Sequence, residues 1–94
     1  MLRGFFGTAT ADHRISKSHL ALYLALYISW VNSRRDLPLV IFSKDIMPAA
    51  KISSTATYHT LMRDLHNFGY IQYLASFYKK KGSEVYLNLF PDAL

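Results

Sequence analysis

The chain has no cysteine, and only six of its 94 residues are acidic. Without cysteine it has neither a disulfide framework nor a thiolate zinc site. Long apolar runs are missing too. The longest, Leu20 to Ile28 followed by Trp30 and Val31, falls short of the roughly 20 residues that a spanning helix needs. Its simplest reading is a buried helix. The first residues, Met-Leu-Arg-Gly-Phe-Phe, hold no apolar run of signal-peptide length. A cytoplasmic protein is the resulting expectation. No internal repeat or low-complexity segment breaks the chain.

Catalytic signatures are scarce as well. There is no glycine-rich phosphate loop and no Gly-x-Ser-x-Gly elbow. The acids are scattered, with none paired for acid–base work. His13, His19, His59 and His66 show no i, i+4 pair and have no acid in register. All four read as neutral surface histidines. Neither an enzyme, a cofactor nor a metal site is expected.

What the chain does have is positive charge and apolar substance. It carries a net +5, and 51% of its residues are hydrophobic. That is enough for one self-sufficient domain and excludes disorder by composition. Strong basicity in a small globular chain points to an anionic partner. The charge falls in two blocks. Arg3, Arg14, Lys17, Arg34 and Arg35 stand against Asp12 alone, and Lys51, Arg63, Lys79, Lys80 and Lys81 stand against Asp64 alone.

Residues 1–15 read as an irregular arm, and residues 16–94 as a single domain. Ser16 or Ser18 can cap a first helix running to about Ser33. Leu20, Tyr23, Leu24, Tyr27, Ile28 and Val31 follow helical spacing on it. Leu22, Ala25, Leu26 and Trp30 fill much of the remaining surface. A helix apolar nearly all round needs cover on more than one side. A homodimer through this helix would supply it, as would the N-terminal arm. Leu39 to Phe42 reads as a short buried strand, and Ser43 caps a short helix to about Ala50. Pro48 fits there only with a late start or a kink. Lys51-Ile52-Ser53 makes a tight connection. Ser53 or Ser54 caps a third helix to Asn67, with Tyr58, Leu61, Met62, Leu65 and Phe68 inward and Gly69 ending it. Tyr70–Phe77 and Glu84–Phe90 alternate as two strands, joined by a turn at Tyr78–Ser83 that Gly82 permits.

A short helix, a tight turn, a longer helix and a β-hairpin resemble the winged helix-turn-helix family. The residues that carry the resemblance are Ile52-Ser53-Ser54, Thr57-Tyr58-His59, Leu65-His66-Asn67-Phe68-Gly69-Tyr70-Ile71 and Lys81-Gly82-Ser83 with Val85-Tyr86-Leu87. The likeness runs from Leu39 onward, and Pro48 departs from the usual pattern. It implies an α+β fold of three helices with a C-terminal wing and a short strand after the first helix. It also implies sequence-specific binding of double-stranded DNA, with the third helix in the major groove. Small bacterial transcription regulators and replication or mobile-element accessory proteins contain similar segments.

The residue chemistry agrees. On the third helix Ser53, Ser54, Thr55 and Thr57 lie at or near the N-terminus, Ala56, Thr60, Arg63 and Asn67 face away from the core side, and His59 flanks that stripe. Hydroxyls suit phosphates and thymine methyls, arginine suits guanine, and asparagine suits adenine. Glu, Lys and Gln would serve a merely solvated face better. Lys79, Lys80 and Lys81 at the hairpin tip repel one another until phosphate neutralises them. The expected reading is a homodimeric transcription regulator. Its alternatives are a replication-initiation or excision accessory protein, or a winged-helix module that binds protein.

Overall fold

The computed structural model describes residues 2–76 and 81–88. Four helices and a three-stranded antiparallel sheet form an α+β domain, in the order α1 (Leu2–Thr10), α2 (Lys17–Asn32), β1 (Leu39–Ile41), α3 (Ser43–Ala49), α4 (Thr55–Asn67), β2 (Ile71–Leu74) and β3 (Ser83–Leu87).

α1 corrects the expectation of an irregular arm over residues 1–15. Gly4, Gly7, Thr8 and Thr10 are poor helix formers, so the helix depends on tertiary contact. Phe5 is fully buried and stacks on Tyr23 of α2, with ring centroids 3.6 Å apart and planes 6° from parallel. Its ring also meets Tyr70 edge-on at 5.5 Å. The loop after α1 is fastened from the same side. Asp12 accepts hydrogen bonds from the Arg14 backbone and guanidinium and from the Tyr70 hydroxyl at 2.8 Å. The Arg14 guanidinium lies 4.2 Å from the centre of the Phe68 ring.

α2 starts at Ser16, one of the two expected caps. Its hydroxyl accepts from the His19 N–H, and its own N–H donates to His19 Nδ1 at 2.9 Å. Together these bonds form a reciprocal capping box. The buried face of α2 is not the one its spacing suggested. Leu22, Tyr23, Ala25, Leu26 and Trp30 are buried, while Leu24, Ile28 and Val31 are exposed. With apolar residues on every side, periodicity has no phase to report, and packing against α1, α3 and α4 decides it.

β1 alternates buried and exposed residues, so Val40 points away from the core. α3 is capped by Phe42, without a side-chain hydrogen bond, and Ser43 is its first residue and not its cap. Pro48 sits in its last turn, where the absent N–H removes a single helical bond. Lys51 then adopts φ 60°, the left-handed conformation that lets α4 begin four residues on. Ser54 caps α4 through the Thr57 N–H. Tyr58, Leu61, Met62 and Leu65 are buried as expected, whereas Phe68 is half-buried beyond the helix end. Gly69, at φ 88°, turns the chain into β2.

The strand order is β1-β3-β2. Tyr73, Val85 and Leu39 align across the inner face, and Leu74, Glu84 and Val40 across the outer one. Gly82 matters for a reason that its place in the expected turn does not give. It is buried, and a Cβ there would lie 2.5 Å from Val40 Cγ1 and 2.9 Å from the Ile41 carbonyl. Only glycine allows β3 to begin so close to β1. Phe77, Tyr78, Leu89 and Phe90, assigned to the hairpin from sequence, lie outside the described residues.

This packing sets a pH window. Burial pushes Tyr70 up to about 12, with help from its bond to Asp12, and burial raises Tyr23 and Tyr58 further. A raised tyrosine stabilises the fold below its unfolded value of about 10, and that contribution disappears as the group ionises. Stability is therefore expected to fall above about pH 10, with the tyrosinate absorbance of Tyr23, Tyr58 and Tyr70 appearing only as helical circular dichroism is lost. At the other end, the bonds from Arg14, then that from Tyr70, hold Asp12 far below the ordinary carboxylate range. Its contribution is present above about pH 4 and fades as pH drops further. Free ionisation of every tyrosine in the folded chain would refute the burial of Tyr23, Tyr58 and Tyr70.

Candidate nucleic-acid interface and the adjoining cleft

The exposed side of α4 gathers most of the residues expected to bind. Ser53, Ser54, Thr55, Thr57, His59, Thr60, Arg63 and Asn67 are all exposed. The Ser54 hydroxyl is partly engaged as the helix cap. Lys81 is exposed ahead of β3, while Lys79 and Lys80 lie outside the described residues.

Asp64, the one acid of α4, is taken out of this face. Its Oδ2 lies 2.9 Å from His19 Nε2. Because Nδ1 of that ring accepts the Ser16 N–H, a neutral imidazole carries its proton on Nε2 and donates it to Asp64. His19 is itself buried, which corrects the expectation that all four histidines lie at the surface. The α2 cap and the middle of α4 are thereby joined through one ring.

Between α4 and the sheet runs a cleft of about 680 Å³. Tyr58, His59, Arg63 and His66 of α4 form one wall. Tyr73 of β2, with Ala75 and Ser76 after it, forms another. Ile41, Phe42, Ser43, Lys81, Gly82 and Ser83 complete it. His59, Arg63 and Lys81 thus share one concavity, while Ser53, Thr55, Thr57, Thr60 and Asn67 do not line it. His66, Phe42 and Tyr73 were not anticipated as site residues. For His66 a signal existed, since it stands three and seven residues after Arg63 and His59, on the same helical side. Its Nδ1 accepts the Tyr73 N–H at 2.9 Å. In the neutral ring Nε2 is then a donor.

Among the described residues no acid lines the cleft. Asp12 is bound by Arg14, Asp64 by His19, and Glu84 belongs to the outer face of the sheet. Among the described residues no group of three or more His, Asp or Glu side chains could hold a metal ion. Nor is any described helix long and apolar enough to cross a membrane.

Compared with known proteins, the chain matches no family model, no curated protein and no solved structure.

Proposed function

We propose that the chain is a winged helix-turn-helix protein that binds double-stranded DNA sequence-specifically as a transcription regulator. α4 enters the major groove, and Lys79, Lys80 and Lys81 meet flanking phosphates. The observation that carries this reading is the outward face of α4. It presents hydroxyls, His59, Arg63 and Asn67, while the helix's single acid is drawn to His19. A polyanion meets no repulsion there, and the positive end of the helix favours phosphate. The α3–Lys51–α4 turn and the β2–β3 pairing support this reading.

Fluorescence anisotropy on duplex fragments across a salt series tests the reading. One preferred fragment and a steep salt slope are expected. Replacing Lys79, Lys80 and Lys81 by alanine should weaken binding to all sequences alike and flatten the slope by about one unit for each lost phosphate contact. Arg63→Ala should instead reduce discrimination by about 1–3 kcal/mol. Absence of binding at low salt would remove the proposal, and unchanged discrimination in the Arg63 variant would remove the orientation of α4.

Homodimerisation through α2 belongs to the same reading. Leu24, Ile28 and Val31 form an exposed stripe at i, i+4 and i+7, and pairing of two copies would cover it. Sedimentation should show a dimer that Ile28→Glu converts to monomer. A wild-type chain that stays monomeric at high concentration would exclude this arrangement.

A further inference from the structure

We propose that the cleft between α4 and the sheet is a binding site for a small aromatic anion, a flat ring carrying a carboxylate or a phosphate. Its volume of about 680 Å³ lies within the roughly 300–1,000 Å³ of small-molecule sites. Such a site combines apolar walls with a few convergent polar groups, and this one does. Phe42 and Tyr73 offer ring faces or edges against which a flat ligand packs. Arg63 and Lys81 supply charge, and among the described residues neither has an ion-pair partner. Among the described residues no carboxylate lines the cleft to compete for them. His66 adds direction. Because its Nδ1 is occupied by the Tyr73 N–H, its other nitrogen offers a donor even when the ring is neutral. A carboxylate or phosphate can accept from Arg63 through two parallel bonds while retaining oxygens for His66 or Lys81.

The ring is as necessary as the charge. Surface cations alone would hold any phosphate, including one on a nucleic-acid backbone, but would gain nothing from aromatic walls. The aromatic lining therefore favours a small planar ligand over a backbone phosphate.

The test is a backbone-amide NMR titration of the full chain with 2-naphthoate. Methyl 2-naphthoate serves as the uncharged analogue, and inorganic phosphate as the anion without a ring. Saturable shifts centred on Phe42, Arg63, His66 and Tyr73 are expected, with the ester and phosphate each at least about tenfold weaker. Arg63→Gln, at an exposed position, should lower naphthoate affinity about tenfold with an unchanged melting curve. Shifts centred on the α2 stripe, equal affinity for the ester, or no effect of Arg63→Gln would overturn the assignment. Phosphate binding as tightly as naphthoate would overturn it too, in favour of a backbone-phosphate seat. No DNA is present in the titration, so its failure leaves the DNA reading to its own test.

Discussion

Phe5→Ala is expected to destabilise the domain by about 3–5 kcal/mol, although residues 1–15 look dispensable in sequence. Phe5 is fully buried between Tyr23 and Tyr70. Truncating it removes a whole ring from the core and leaves a cavity that two aromatic neighbours cannot easily close. A domain of this size typically has about 5–15 kcal/mol in total, so the variant should be close to unfolded at moderate temperature. Urea unfolding followed by far-ultraviolet circular dichroism measures the loss. Phe6, which is half-buried, provides the control, because its truncation should cost distinctly less. If the Phe5 and wild-type midpoints coincide, α1 is an appendage after all.

Gly82→Ala is the second large effect, towards the upper end of about 1–3 kcal/mol for overpacking. A methyl group at this position meets Val40 Cγ1 at 2.5 Å, the Ile41 carbonyl at 2.9 Å and Phe42 Cζ at 3.2 Å. Val40 is an exposed side chain and can turn aside. The Ile41 carbonyl belongs to the backbone, so β1 itself must shift. Local damage should therefore appear as early hydrogen exchange in β1, with the α4 amides protected as before. Gly69→Ala makes the comparison informative, because nothing crowds a Cβ there and the strain comes from φ 88° alone. Exchange in β1 that is unaltered by Gly82→Ala would mean the strands are less tightly apposed than described.

The two sites also show which features could be read from sequence. α4 was legible because its signals are local: Ser54 as cap, Gly69 as terminator, and Tyr58, Leu61, Met62 and Leu65 at helical spacing. Its outward residues followed from the same spacing. α1 was hidden because glycines and threonines argue against a helix, and the contact that overrides them lies eighteen residues away at Tyr23. The burial phase of α2 was illegible for the opposite reason, an excess of apolar residues on all sides. Gly82 was legible as a turn residue but not as a close neighbour of β1, since that proximity depends on β1 pairing with β3. The cleft could not be foreseen in full because Phe42, Arg63, Tyr73 and Lys81 converge only after the sheet has formed. Arg63 belongs both to the outward face of α4 and to the cleft, so an occupant of one restricts the other.

The Ser16–His19–Asp64 arrangement has a consequence for heredity. Losing His19 would take the partner from the Asp64 carboxylate and the acceptor from the Ser16 N–H in one step. Losing Asp64 would leave a buried imidazole N–H without its acceptor. Each single change passes through a damaged intermediate, so the positions are expected to drift together or not at all. In divergent descendants of this chain, a Ser-x-x-His at one helix start, matched by an acid about 45 residues later, should outlast the surrounding sequence as a mark of common ancestry.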